Sequence, residues 1–496
     1  MALSIDRNQN FLHQCSKQAL NSQVFRSKLK LTSTEPVLPS DHPTIPDPSL
    51  FKFGVNPGDT REESRRLPTI AECATHLELL QAFRHIRTEI ESSSRLDHVF
   101  GIEQEPRTVY RKRVVYSGWT SSRVREPVKL KDDSFKKRRE EKWPLYLRIA
   151  ASRFLSWVVA VEEYFSEPTR KSEQSLHLPP LDVLMVWHAL LLNPEWFQSF
   201  ERKRLKFLST VPFPWEQIHA AIDSEEPKWP FRLPEEDQAW ARDIASLHPD
   251  LLAFLAKEDK SSVITSYLTS HGMNREGAED RGLRPRDIPD VSGGDSDLDP
   301  VELKFVEICR VAVSKKRRVE DLVDAVKRQS AFVDKMERQL WIRSPAVEGT
   351  LSRAIIRYER FLKLFKLYPK TMLVPTLDID LVWHTHQCSP AQYGLATRRM
   401  AGRFIDHNDK LGTTTLDPAF ENTKALYRVR FADEYRLCTC WDCEALRSTI
   451  AEENSSIQFD VASVARRAHS EVAFYRAIEI ARRKGEKIVV PATAMP

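Results

Sequence analysis

The sequence predicts a mainly α protein: two related multi-helix units in tandem, joined by a long mobile linker. Three observations carry this reading. Only 14 glycines stand among 496 residues, well under the average share, which leaves little turn material for a strand-rich fold. Apolar residues recur at helical spacing over most of the chain. A Trp-His motif occurs twice, Trp187 against Trp383, offset by 196 residues.

Taken in order, residues 1–65 read as a disordered N-terminal tail. Pro36, Pro39, Pro43, Pro46 and Pro48 interrupt it too often for a helix. Residues 66–256 form the first helical unit. Its first helix starts at Pro68, with Thr69 as cap and Cys73, Leu77, Leu80 and Phe83 on one side. Val109 to Trp119, richer in β-branched and aromatic residues, holds a short hairpin. From Tyr146 to Phe165 a stripe of Leu147, Ala150, Phe154, Trp157 and Val161 marks a buried helix, and helices continue to about Leu255. Residues 257–300, with Gly272, Gly277, Gly282, Gly293, Gly294, Pro285 and Pro289, are the linker. Residues 301–437 form the second helical unit, including Leu351–Leu367 with Ile355, Tyr358, Phe361, Leu362 and Phe365 on its apolar face. Residues 438–496 carry a cysteine cluster and C-terminal helices.

Charge and cysteine usage narrow the class. Lys and Arg exceed Asp and Glu by 5 on a chain that is 29% charged, too small an excess for a field on the scale that nucleic acids require. The longest apolar runs, such as Phe154–Val161, fall far short of the ~20 residues of a membrane span. Met1–Asn10 lacks the continuous apolar core of a secretory signal. Seven cysteines, three of them within six residues, fit a reducing compartment. The expectation is an intracellular, cytoplasmic protein without a membrane partner. Basic clusters at Arg111–Arg113, Lys136–Arg139, Arg202–Lys206 and Lys315–Arg318 leave nuclear placement and nucleic acid as lesser alternatives, since several lie beside acids and read as solvated helix faces.

The duplication decides the secondary structure of the most interesting segment. Pro179, Leu181, Asp182, Val186, Trp187, His188 and Pro194 align with Pro375, Leu377, Asp378, Val382, Trp383, His384 and Pro390. Alone, Leu377–His386 alternates as a strand would, which places Asp378, Asp380, His384 and His386 on one face. Val183–Leu192, however, is a Pro-bracketed apolar run that reads as a buried helix. With both copies helical, His384 and His386 lie about 200° apart and cannot share an ion, whereas Asp380 and His384 are neighbours at i and i+4. Leu184, Ala189, Leu190 and Leu191 of the first copy become Asp380, Thr385, His386 and Gln387 in the second. Burying four such groups unpartnered costs several kcal/mol, so the later copy faces water, a ligand or an internal polar network. The competing explanation for the shared Asp, Trp and His is helix-end chemistry, with Asp182 and Asp378 favouring the helix dipole and the rings packing and donating to backbone.

The stretch Leu373 to Tyr393, followed by His407-Asn408-Asp409, resembles the glycine-rich domain-containing protein-like family of plants and fungi, and Leu178–Pro194 is similar to its upstream segment. The resemblance spans roughly Pro68 to Phe431. It implies a domain of undefined biochemistry, linked in plant members to stress responses, development, and RNA or protein interaction. Some fungal relatives carry a dioxygenase label. The chain departs from the plant pattern in lacking the glycine-rich C-terminal region, and Cys388 stands where an aliphatic residue is usual.

The chemical alternatives follow from the residues. An oxoglutarate-dependent dioxygenase needs two His and a carboxylate on one face of iron. His407-Asn408-Asp409 with His469 and Arg476 imitates that set, but His469 lies in a helical stretch. Cys438, Cys440 and Cys443 are a candidate zinc site with a fourth ligand from elsewhere, Cys388 or His407, against reduced cysteines packing at a helix start. No Gly-rich phosphate loop, His-Glu-x-x-His helix or Gly-x-Ser-x-Gly elbow occurs, which removes the main support for common nucleotide and hydrolase chemistries. The favoured reading is a non-enzymatic interaction or regulatory protein with a protein partner. Its polar pocket comprises Asp378, Asp380, Trp383, His384, His386, Gln387 and Tyr393, with Asp182, Trp187 and His188 as counterparts. The rival is a metal-dependent enzyme using Zn or Fe on His384, Asp380, His407 and Asp409. An RNA-binding or stress-related adaptor is the third reading.

Overall fold

Thr69 opens the first helix, α1 (Ile70–Ser92), through a capping box: its hydroxyl accepts the Glu72 N–H while the Glu72 carboxylate accepts the Thr69 N–H. Cys73, Leu77, Leu80 and Phe83 are buried as their spacing predicts. The structure, a computed structural model, describes residues 45–53, 67–105, 107–167, 176–258, 298–314, 316–407, 413–453 and 461–485, together with 262, 264–265 and 268. Most of the expected tail and linker therefore lie outside the described residues.

After α2 (Ser94–Val99) the chain leaves the helical body as a two-stranded antiparallel hairpin, β1 (Arg107–Ser117) and β2 (Thr120–Leu130), with Ser117 opposite Thr120 and Arg107 opposite Leu130. The expected short hairpin over Val109–Trp119 is corrected here: it is longer at both ends, and the reversal falls at Gly118, whose φ of +61° suits glycine. The second strand escaped notice because Arg123, Arg125, Glu126, Pro127 and Lys129 carry little β signal. Tyr110 and Trp119 are exposed, as is most of the hairpin.

The body that follows consists of α3 (Phe135–Glu140), α4 (Lys142–Ser166), α5 (Leu181–Leu191), α6 (Pro194–Arg204), α7 (Trp215–Ala221), α8 (Glu235–Asp243) and α9 (Leu251–Lys257). Beyond the linker come α10 (Pro300–Ser314), α11 (Lys316–Gln339), α12 (Val347–Leu367), α13 (Leu377–Gln387), α14 (Pro390–Met400), α15 (Thr413–Phe431), α16 (Trp441–Glu453) and α17 (Val461–Lys484). The protein is mainly α. Phe135–Ser166 is long and apolar enough to cross a membrane, which the short run Phe154–Val161 alone did not reveal, but 72% of its apolar window is buried inside the protein. It is the core helix that its stripe predicts, with Leu147, Ala150, Phe154, Trp157 and Val161 all buried.

Both Trp-His segments are eleven-residue helices, α5 and α13, so the strand alternative for Leu377–His386 does not occur. Each is fastened by an arginine from the long helix before it. Arg153 Nε meets Asp182 Oδ2 at 2.7 Å and its Nη2 donates to the His248 carbonyl. Arg357 Nε meets Asp378 Oδ2 at 2.6 Å and its Nη2 donates to the Tyr435 carbonyl. All four charged groups are buried, and the extra backbone contacts satisfy nitrogens that an isolated pair would leave bare.

The halves are interleaved. Helix α11 packs on α1, α4 and α5, while α1 also packs on α12 and α13. Residues on either side of the linker thus contribute to one continuous apolar core.

Candidate metal centre

Helix α13 sets the site. It presents Asp380 and His384 one turn apart, as i and i+4 spacing requires. Past the end of α14 the chain returns His407 to the same point. His384 Nε2 lies 3.4 Å from Asp380 Oδ1 and 3.4 Å from His407 Nε2, and His407 Nε2 lies 3.5 Å from Asp380 Oδ1. His384 is buried, the His407 side chain is 12% exposed and that of Asp380 22%, so the triad sits at the rim of the core with its carboxylate toward solvent. The Oδ1 atom itself is buried and meets no hydrogen-bond donor of good geometry among the described residues. Burial pushes the Asp380 carboxyl up, but the His384 and His407 imidazoles and Lys335 outweigh it and hold its pKa below the usual range.

Aromatic packing fixes both imidazoles. The Phe332 ring of α11 lies 4.3 Å from that of His384, and Trp383 meets His407 edge-on at 4.8 Å. Trp383 is in turn held by its Nε1–H donating to the Tyr393 hydroxyl at 2.9 Å, and that hydroxyl donates to the Ile405 carbonyl at 2.8 Å. This chain positions the segment carrying His407.

The donor spacing has a chemical reading. Donors about 2.1 Å from a common tetrahedral zinc lie about 3.4 Å apart. An octahedral centre with bonds of that length brings adjacent donors to about 3.0 Å. The observed edges of 3.4, 3.4 and 3.5 Å match the tetrahedral case.

The other residues expected in the pocket are placed elsewhere. Asp378 and Asp182 face their arginines. His386, on the opposite side of α13, is hydrogen-bonded through Nδ1 to the Tyr358 hydroxyl at 3.0 Å, and burial pushes its pKa down to about 3. Gln387 is buried. Trp187 packs on Trp157 and Phe213, and its Nε1 has no acceptor among the described residues. Asp409 lies outside the described residues. His469 and Arg476 both bind Asp442, which places neither at the triad.

His188 belongs to a network that the sequence did not disclose. Its Nε2 lies 2.9 Å from His76 Nε2, and His76 Nδ1 lies 2.9 Å from the Thr385 hydroxyl. That hydroxyl donates its one proton to the Leu381 carbonyl, so His76 Nδ1–H donates to Thr385 and the bare His76 Nε2 accepts from His188. Both imidazoles are fully buried and neutral: burial drives His188 down to about 3 and His76 well below its ordinary value. Of the four polar replacements in the later copy, Asp380 joins the triad while Thr385 and His386 find partners in the core. His76 lies in a part of α1 that is buried on every side from Ala71 to Phe83, so no face pattern singles it out, and its partners are 112 and 309 residues away.

The second cluster is also assembled. Cys438, Cys440 and Cys443 are free thiols whose Sγ atoms lie within 4.8 Å of one another, at the start of α16. His407, a suggested fourth ligand for it, is engaged with Asp380 and His384 instead. Within the Lys136–Arg139 cluster, Arg138 pairs with Asp132 and Arg139 with Asp97, as expected of basic residues beside acids.

Comparison with known proteins agrees with the motif-level resemblance but over a narrower span than Pro68–Phe431. A family profile described as "Glycine-rich domain-containing protein-like" matches residues 296–395. Glycine-rich domain-containing protein 1 of Arabidopsis thaliana is 28% identical over 287 residues, covering 56% of this chain and 28% of that protein. Glycine-rich domain-containing protein 2 of the same plant is 27% identical over 216 residues, covering 41% of this chain and 26% of that protein. The chain thus aligns with little more than a quarter of the length of these relatives. No solved structure matches. With α11, α12 and α13 inside the matched stretch, residues 296–395 of this chain are similar to the glycine-rich domain-containing protein-like family.

Proposed function

We propose that this protein is a metal-dependent interaction or regulatory scaffold in which Asp380, His384 and His407 hold a zinc-like divalent cation. The near-equilateral triangle of donors, with edges of 3.4 to 3.5 Å, carries the reading. A cation there answers the buried Asp380 oxygen and fastens α13 to the segment after α14. Non-enzymatic use is supported by the surroundings. Phe332 and Trp383 pack the imidazoles, and a cavity of about 540 Å³ is lined instead by Tyr146, Asp182, Trp229, Arg242 and His248. The partner class is protein.

One observation favours the rival enzymatic reading. Three protein donors are one short of a tetrahedral set and the Asp380 side chain is 22% exposed, so a zinc held there would have room for a water to activate.

Metal analysis of the purified full chain tests the proposal. One equivalent of zinc should be lost in both His384→Ala and His407→Ala and retained in His386→Ala. Chelation should lower the melting temperature of the parent by more than that of the two depleted variants. A chain that takes up no zinc at this triad overturns the proposal. Zinc-dependent hydrolysis of an activated ester, lost in His384→Ala, moves the assignment to the enzyme.

A further inference from the structure

Asp380, His384 and His407 account for one cluster of metal-ligating side chains, and a second is left without a role. Cys438, Cys440 and Cys443 stand where the chain turns from α15 into α16, with Cys440 immediately before the first helical residue, Trp441. The turn is firmly seated. Trp341 Nε1 donates to the Thr439 carbonyl at 2.7 Å, Trp441 Nε1 donates to the Gln339 carbonyl at 2.8 Å, and Arg447 Nη1 donates to the Cys438 carbonyl at 2.7 Å. Below it, α16 lies close to α12 at Gly349, where an added Cβ would fall 2.3 Å from the Ser448 hydroxyl oxygen. The three sulfurs are therefore presented by a braced loop.

We infer that Cys438, Cys440 and Cys443 form a second metal centre, a three-thiolate site for zinc whose fourth position opens to solvent beside Cys438. All three Sγ atoms lie within 4.8 Å of one another, and those of Cys438 and Cys440 are 3.4 Å apart. Zinc–sulfur bonds of about 2.3 Å place tetrahedral thiolates about 3.8 Å apart, so the Cys438–Cys440 pair opens by about 0.4 Å and no pair closes by more than about 1 Å. Backbone N–H groups already aim at sulfur: that of Cys440 at Cys438, and that of Cys443 at Cys440. Such contacts stabilise a thiolate, and the first turn of a helix adds its positive end.

The charge balance favours the same ligand. Zinc binding displaces the three thiol protons to solvent, and the ion with its three thiolates carries a net charge of −1. Arg447, already drawn to Cys438, faces that charge. Soft thiolates select zinc over magnesium or calcium. Exposure of Cys438 and burial of Cys443 put the open position on the outside, where water supplies the fourth ligand.

This site stands independently of the Asp380 triad, and cobalt separates the two. Reduced, metal-free full-length protein is titrated with Co(II). A thiolate-to-cobalt charge-transfer band in the near ultraviolet should appear in the parent and in His384→Ala alike, and be absent from Cys438→Ser/Cys440→Ser. Zinc content should fall by one equivalent in that double variant while its far-ultraviolet circular dichroism stays native. Both substituted positions are at least partly exposed, so the fold does not depend on them. Cys443→Ser alone should weaken zinc retention against a competing chelator at least tenfold. No charge-transfer band in the reduced parent, or a band that survives in the double variant, overturns the inference.

Discussion

His76 and His188 show how much one buried proton matters. Each ring is neutral in the folded chain, with its pKa driven below the ordinary 6.5 by burial and by neighbouring imidazoles. In the unfolded chain both titrate near 6.5, so below that pH the unfolded state binds the extra protons. Their contribution to stability is therefore complete above about pH 6.5. It is lost as pH falls, by up to about 1.4 kcal/mol per pH unit for each ring, and for His188 the loss continues to about 3. Urea unfolding at pH 7 and pH 5, with chelator present throughout, should show this slope, and His188→Gln should flatten it while lowering stability at pH 7. An unchanged slope in that variant contradicts the assignment. Part of this was legible beforehand, since a His sits beside each motif Trp. That the first pairs with a third histidine on α1 was not, because it depends on a contact across 112 residues. Arg153 and Arg357 are similar cases. Each is a cation within an apolar helical stripe, a legible oddity whose carboxylate lies on the next helix.

Among the elements, the hairpin β1–β2 stands apart. Tyr110, Val114, Val115, Trp119 and Val124 are exposed on it, and it pairs chiefly with itself. Its ends are joined at the base, where the Glu105 N–H donates to Asp132 Oδ2 at 2.9 Å. Replacing residues 107–130 by a short Gly/Ser turn should therefore move the melting temperature by less than about 2 °C, the shift expected when little buried area is lost. Calorimetry on the two proteins decides it, and a drop of ten degrees would show that the hairpin is packed. The helices were read from spacing with better success than this hairpin, because burial on one face imposes a 3.6-residue period that survives in the sequence. A strand pair exposed on both faces leaves no such imprint, and Pro127 with its basic neighbours masked the second strand.

At the level of the molecule, the interleaving of α1 and α11 sets the cooperativity. Helix α11, from beyond the linker, covers α4 and α5, and α1 from before it covers α12 and α13. Neither half can close its apolar face alone. Expressed separately, residues 1–270 and 297–496 should be insoluble or poorly helical, and co-expressed they should purify together at one to one with the parent's circular dichroism. Two independently folded halves that do not associate would contradict the shared core. Composition and periodicity cannot reveal this arrangement, since a helix face that meets its own unit and one that meets the other unit have the same pattern.

Helical class, the Thr69 cap, the helical state of both Trp-His segments and the pairing of Asp380 with His384 are local properties, set by side-chain spacing within a few turns, and the chain's own order of residues contains them. The return of His407 to that pair, the neutral His188–His76–Thr385 link, and the dispersal of Asp378, His386 and Trp187 to separate partners arose only on folding. The reason is geometric. A helix fixes neighbours at i and i+4, but which distant group fills the space opposite depends on how whole helices pack, and residues far apart in sequence carry no shared period to announce it.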